Sequence, residues 1–90
     1  MPSENKDWFT PKRKVERRTQ SDIHIVAAWL TFGGTLEPNV DYSDPRHVVF
    51  TVTGQGLNEI EQKFLNGTLY GNVPMFAEKL RNLKAKIRMR

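Results

Sequence analysis

The chain has 90 residues, 38% of them apolar, a formal net charge of +4 and no cysteine. This length supports one small core and excludes two domains, and the lack of cysteine excludes disulfides and thiolate metal sites. No stretch has the length of a membrane span and the first twenty residues lack a secretion-signal pattern, so we expect a cytoplasmic protein without membrane contact.

Positive charge is concentrated at the two ends of the chain. Residues 1–22 carry six basic and four acidic groups, residues 23–75 carry two and five, and residues 76–90 carry six and one. The three segments therefore have net charges of +2, −3 and +5. Positive ends can attract a polyanion or an acidic protein surface, and they can equally serve only to keep the protein soluble.

The first segment, "MPSENKDWFTPKRKVERRTQ", has two prolines, many charges and no apolar periodicity. We predict a basic, flexible arm over 1–20 ahead of one domain over 21–90. Trp8 and Phe9 suit docking onto a partner, or they pack loosely on the chain's own domain. The last four arm residues, "RRTQ", are a candidate third strand. The basic residues of the arm are Lys12, Arg13, Lys14, Arg17 and Arg18.

The next segment, "SDIHIVAAWLTFGG", has apolar residues around nearly the whole helical circumference, so periodicity does not distinguish a buried strand from a buried helix. We predict a helix, because Ser21 or Asp22 is a good N-cap and the alanine pair favours helix. Gly33 and Gly34 supply the stop.

A hairpin is predicted where "TLEPNVDY" and "HVVFTVTG" flank "SDPR". Asp44 can cap this turn and Pro45 presets its second position. The apolar residues of the second strand alternate with threonines, as in a half-buried strand. Pro38 confines the first strand to a sheet edge or a bulge.

Two further helices are predicted in the remainder of the chain. "LNEIEQKFLNG" places apolar residues at helical spacing and ends at Asn66 and Gly67. Asn72 is a plausible N-cap for the last helix, with Pro74 in its first turn. The sequence therefore predicts an α+β domain, with three helices packed on a small antiparallel sheet.

The pattern in "DIHIVAAWLTFGGTLE", "VVFTV", "FLNG" and "FAEKLRNLK" resembles a family of short bacterial and phage proteins that carry a domain of unknown function. The resemblance covers roughly residues 19–87 and leaves the arm outside. The chain departs from it in the strongly basic last turns, 86–90. The resemblance implies an architecture and no activity, so it supplies no catalytic residues.

The sequence contains few candidate residues for catalysis or metal binding. His24 and His47 are its two histidines, and two histidines without a third ligand make a weak metal site. Glu59 and Glu61 are two residues apart on a helix and point to different sides, so they do not pair as acid and base. We expect a protein that is not an enzyme and uses no cofactor or metal.

The tail, "FAEKLRNLKAKIRMR", has the strongest periodic signal. Its apolar residues form a narrow stripe that must face a core or a partner. Basic residues flank the stripe on both sides, where they complement the helix dipole and cover apolar surface with their stems. These residues are Lys79, Arg81, Lys84, Lys86, Arg88 and Arg90.

Six basic residues are more than are needed to complement the helix dipole and to cover apolar surface. Glu78 is the one acidic residue in the same segment. We therefore predict an accessory protein whose basic tail and arm bind DNA or RNA through phosphates, without reading bases. The rival prediction is a protein-binding module, such as a phage or bacterial adaptor or inhibitor. It would dock through Trp8 and Phe9 or through the edge strand near Pro38.

Overall fold

The computed structural model describes residues 15–44 and 46–88. The three strands form one antiparallel sheet in the order β1, β3, β2, which α1 covers, and the other helices pack mainly on α1. The α+β fold with three helices is thus confirmed. Its elements are β1 (Val15–Gln20), α1 (Ile23–Thr31), β2 (Thr35–Leu36), β3 (Phe50–Gln55), α2 (Leu57–Leu65) and α3 (Val73–Arg88).

Strand β1 corrects the predicted boundary of the arm. The sheet begins at Val15, so the last six residues of the segment assigned to an arm belong to the domain, and the third strand is longer than "RRTQ". β1 pairs with β3 from Val15 opposite Gln55 to Gln20 opposite Phe50. The sequence concealed this strand because its side chains are exposed or half-buried. Its stabilisation comes from backbone hydrogen bonds, which leave no apolar alternation to detect.

Helix α1 begins and ends at the predicted signals. The Asp22 carboxylate accepts a hydrogen bond from the backbone N–H of His24 at 2.9 Å, which is the N-cap interaction. Gly33 has a φ of +108° just after the helix, as an αL-type stop requires. All five residues 25–29 are buried, which explains the apolar circumference, because a helix that is apolar all round lies inside a core.

The predicted hairpin is present but its first strand is short. β2 pairs with β3 at Thr35 and Leu36, and an isolated bridge joins Asp41 to Val49. Pro38 lies beyond the end of β2 rather than within it: Glu37 N still donates to Thr51 O at 2.8 Å, and the pairing with β3 resumes at Asp41. β2 lies at the sheet edge, as predicted. Asp44 caps the turn by accepting from Arg46 N at 2.9 Å, whereas Pro45 lies outside the described residues.

The other two helices also use the expected ends. α2 stops at Asn66 and Gly67, and Gly67 has a φ of +74°. α3 is capped by Asn72, whose Oδ1 accepts from Met75 N at 3.0 Å. The start of α2 uses a contact that the sequence did not reveal: Glu16 on β1 accepts from Asn58 N at 3.2 Å. This contact ties the first turn of α2 to the sheet edge.

The core is centred on α1. Its largest fully buried side chains are Trp29, Phe50, Leu57, Leu83, Val26 and Val52, which come from all three helices and from β3. The Trp29 indole N–H donates to the backbone carbonyl of Leu57 at 2.9 Å, in a buried position. That bond satisfies the only polar atom of the indole and joins α1 to the first residue of α2.

Two glycines permit a close approach beneath this core. A Cβ on Gly34 would lie 2.8 Å from Val52 Cγ1 and 2.9 Å from the carbonyl oxygen of Trp29. A Cβ on Gly54 would lie 2.9 Å from the Cα of Gly34. The absence of side chains at both positions therefore lets the turn after α1 lie directly against β3.

We expect Trp29→Phe to lower the free energy of unfolding by about 0.5–1.5 kcal/mol through loss of the indole hydrogen bond to Leu57, with a further loss from the vacated space. Urea denaturation followed by far-UV circular dichroism measures the change.

Tyr42→Phe is the control, because it removes a single hydroxyl that donates to the Lys86 carbonyl at 3.5 Å on the surface. We expect this control to stay within about 0.5 kcal/mol of the parent. An equally small change for Trp29→Phe would contradict the structural role of the indole bond.

Candidate nucleic-acid interface on the last helix

Helix α3 is anchored by its predicted apolar stripe. Leu83 is 1% exposed, and Phe76, Leu80 and Ile87 are partly buried against the core. The main neighbour of this stripe is α1. Since one face of α3 is used by packing, its basic residues are held on the remaining circumference.

The described basic residues of α3 form two rows. The outer row is Arg81, Lys84 and Arg88, all three of which are exposed. The inner row is Lys79 and Lys86, which line a groove of about 300 Å³ between α3 and β2. Lys79 is half-buried there and Lys86 is exposed.

These five cations have no acidic partner in the part of the chain that the structure describes. No carboxylate of residues 15–44 or 46–88 lies within 4.0 Å of their charged nitrogens. Glu78, the one acid of the helix, is exposed and not among their ion-pair partners. The charge of both rows is therefore available to an external anion.

Arg17, which we predicted to support phosphate binding, forms an ion pair within the sheet. Its Nε and Nη2 donate to the two carboxylate oxygens of Glu37 at 2.8 and 3.0 Å, and Thr53 Oγ1 donates to the same carboxylate at 2.7 Å. This hydrogen bond from Arg17, followed by that from Thr53, lowers the pKa of Glu37, and the carboxylate raises the pKa of Arg17. The guanidinium is a structural contact between β1 and the residue after β2.

Arg18 is also paired. Its Nε donates to Glu16 at 2.8 Å, the same carboxylate that accepts from the backbone of Asn58. Alternation along β1 directs Arg17 and Arg18 to opposite faces of the sheet. Both arginines are thus paired with acids, and the Arg17–Glu37 pair was concealed by its separation of twenty residues in the sequence.

The predicted site residues consequently divide into separate groups. β1 is held by β3, whereas α3 is held by α1, and no hydrogen bond or ion pair among residues 15–44 and 46–88 joins the β1 arginines to the α3 rows. The other predicted residues lie outside the described part of the chain. They are Trp8, Phe9, Lys12, Arg13, Lys14 and Arg90.

The two histidines have local contacts only. His24 Nδ1 lies 3.3 Å from the Asp22 carboxylate, and His47 N donates to the carbonyl of Asp44 at 3.0 Å. Within the described ranges, no group of three histidine, cysteine or acidic side chains is arranged to hold a metal ion.

An apolar hollow at the other end of α3 was not anticipated from the sequence. It has a volume of about 170 Å³ and lies where the end of α1 meets the connection between α2 and α3. The available signal was the length of the uncharged stretch over 64–77. The apolar residues of the hollow are Phe32, Phe64, Leu69, Val73 and Phe76.

Comparison with known proteins gives no relative: no protein-family model, curated protein or solved structure matches the chain. The resemblance to short bacterial and phage proteins therefore stays a prediction. Among the described residues, no helix combines the length and apolar character needed to cross a membrane.

The Glu37 network predicts a specific pH dependence of stability. The pKa of Glu37 is lowered in the folded state, so its contribution is complete above the unfolded glutamate pKa of about 4.3 and is lost as the pH falls through the lower folded value. Glu37→Gln should therefore lower the melting temperature near pH 7, and the difference from the parent should shrink towards pH 3.

Glu78→Gln is the matched control, since it removes an exposed carboxylate without an ion-pair partner among the described residues. Thermal melts of both variants and the parent at several pH values measure the effect. A Glu37→Gln difference that stays constant from pH 7 to pH 3 would show that the carboxylate contributes nothing through its charge.

Proposed function

We propose that this protein is a non-catalytic nucleic-acid-binding protein that contacts phosphates through the outer row of α3. The observation that carries the proposal is the contrast between two sets of cations. The β1 arginines are bound by Glu37 and Glu16, whereas the α3 cations have no carboxylate within 4.0 Å among the described residues. Unpaired cations can exchange their counterions for phosphates without first breaking an internal ion pair.

The length of the outer row fits a short run of phosphates. Arg81 and Arg88 are seven residues apart, which corresponds to roughly 10 Å along a helix axis. One strand of B-form DNA carries a phosphate about every 3.4 Å of axis, so the row spans about three phosphates. Because the apolar stripe fixes the helix against α1, the row is presented by a rigid element.

The inner row extends the same basic surface towards β2. Lys79 and Lys86 border a groove whose floor includes Leu30, Leu36 and Leu83. No aromatic side chain lines this groove, and the hydroxyl of the neighbouring Tyr42 is directed to the Lys86 carbonyl. The described surface thus has no row of rings for stacking successive bases, and its chemistry favours backbone contact over sequence recognition. We therefore expect comparable binding to different sequences of one nucleic-acid type.

The acidic-protein alternative shares this electrostatic surface and is distinguished by competition. The docking arm of that alternative, with Trp8 and Phe9, lies outside the described residues, so that form of the hypothesis stays a prediction. Displacement of bound nucleic acid by polyglutamate at equal charge concentration would favour an acidic protein over a phosphate backbone.

Fluorescence anisotropy with labelled single- and double-stranded DNA and RNA, at about 50–200 mM salt, tests the proposal. For three phosphate contacts on duplex DNA we expect a slope of log K against log salt of about −2.7, equivalent to roughly 40-fold weaker binding across this range. Lys84→Gln with Arg88→Gln should reduce the magnitude of the slope by about 1.8.

Arg46→Gln with Lys63→Gln is a control of equal charge change, because it also replaces one exposed arginine and one exposed lysine, both outside α3. It should leave the slope unchanged. Equal losses in the two double variants would show that net charge alone drives binding, and no binding at 50 mM salt would refute the proposal.

A further inference from the structure

Exposed apolar side chains are concentrated where α2 connects to α3. The described residues include seven large apolar side chains that are exposed, and five of them form what we call the junction patch. Three belong to the connection or the start of α3, one ends α2, and one follows α1. They are Phe32, Leu65, Tyr70, Val73 and Met75. Exposed apolar side chains concentrated in one part of a small charged protein favour a protein contact there.

Two residues of the junction patch, Phe32 and Val73, line the hollow described above. Phe64 and Phe76 form part of its wall, with ring centroids 6.1 Å apart. A Cβ on Gly71 would lie 2.5 Å from Cζ of Phe32, so this glycine allows the Phe32 ring to lie against the backbone and close one side. A volume of about 170 Å³ is sufficient for one aromatic ring, since apolar cavities of about 150 Å³ admit benzene.

Tyr70 stands beside this hollow without filling it. Its neighbours Leu69 and Gly71 both line the hollow, whereas Tyr70 itself is 82% exposed. A ring-sized recess and an exposed ring therefore adjoin at the surface of one chain. A two-fold axis through such a surface places each projection opposite the partner's recess, which is the geometry of an isologous dimer.

The charge distribution favours a second copy over a strongly charged partner. Residues 64–77 contain no charged side chain, although the protein has a net charge of +4. Two identical cationic chains can meet at this surface without opposing like charges, whereas a strongly acidic or basic partner gains no electrostatic attraction there. The basic rows of α3 begin only after this stretch, from Lys79 onward.

The geometry points to a homodimer in which Tyr70 of each protomer inserts into the hollow of the other. A buried tyrosine hydroxyl needs a hydrogen-bond partner, and the hollow supplies polar groups from Thr31 and Asn72. Asn72 Oδ1 already accepts from Met75 N, which leaves the Asn72 amide N–H groups to donate to the entering hydroxyl oxygen. The contact thus combines an aromatic anchor with a polar group at its end.

The size of the patch determines how tight this dimer is. Five exposed apolar side chains per protomer are few beside the roughly 20–30 residues per side of a standard interface. Reciprocal insertion of one aromatic anchor per protomer concentrates the stabilisation at two positions. We therefore expect a weak dimer, visible in the range from about 10 µM to about 1 mM protein.

Sedimentation velocity across that concentration range tests the inference with the full chain and no nucleic acid present. The parent should move from the monomer mass of 10.4 kDa towards twice that mass. Tyr70→Ser should remain monomeric throughout, because it removes the inserted ring. Tyr42→Ser, the same change at a tyrosine that does not line the hollow, should dimerise like the parent.

Val73→Glu tests the role of the hollow with a substitution that should leave the fold intact. Val73 is 71% exposed and lines the hollow at the first position of α3. A carboxylate there is favourable at a helix N-terminus but is desolvated in the dimer. We expect a monomer with an undiminished melting temperature. A parent that stays monomeric at about 1 mM, or variants at Tyr70 and Val73 that still dimerise, would overturn the inference.

Discussion

The structure depends on one short buried helix. α1 contacts all three strands and both other helices, and its residues from Ile25 to Trp29 are inaccessible or nearly so. The indole bond from Trp29 to the Leu57 carbonyl fixes α2 relative to α1 at a depth where an unpaired polar atom is costly. Because α2 and α3 contact the sheet largely through α1, the placement of every surface feature follows from the packing of these nine residues.

The distribution of ion pairs gives the protein two kinds of basic residue. On β1, Arg17 and Arg18 are each bound by a glutamate, so their charge stabilises local geometry. On α3 the cations stand on a helix whose opposite face is buried, and the described chain supplies no carboxylate to them. A paired cation must release or share its carboxylate to bind an external phosphate, whereas an unpaired one binds without that loss.

Helix α3 connects the two surfaces for which we propose partners. Its first residues, Val73 and Phe76, border the uncharged hollow, and the basic rows follow from Lys79 onward. A dimer formed at the hollow would bring two basic helices into one particle. Two linked phosphate-binding rows act on the same nucleic acid with a raised effective concentration, which strengthens weak individual contacts without adding new ones.

Local chemistry in the sequence was sufficient for most element boundaries. The N-caps Asp22 and Asn72 and the stops at Gly33 and Gly67 lie where short-range signals place them, because capping bonds and left-handed turns involve residues a few positions apart. The apolar stripe of α3 was likewise predictable from its spacing, since a helix has a fixed angular period.

Contacts between distant segments were decided only by tertiary structure. The sequence of the polar strand Val15–Gln20 resembled a flexible arm, because pairing with β3 through backbone hydrogen bonds does not require a particular pattern of side chains. The engagement of Arg17 with Glu37 crosses twenty positions, and the hollow beside Tyr70 requires Phe32 to meet residues about forty positions later. The sequence by itself determined the local elements and the location of charge. Tertiary packing decided which charges were neutralised and which apolar residues stayed exposed, because both depend on neighbours that only the folded chain brings together.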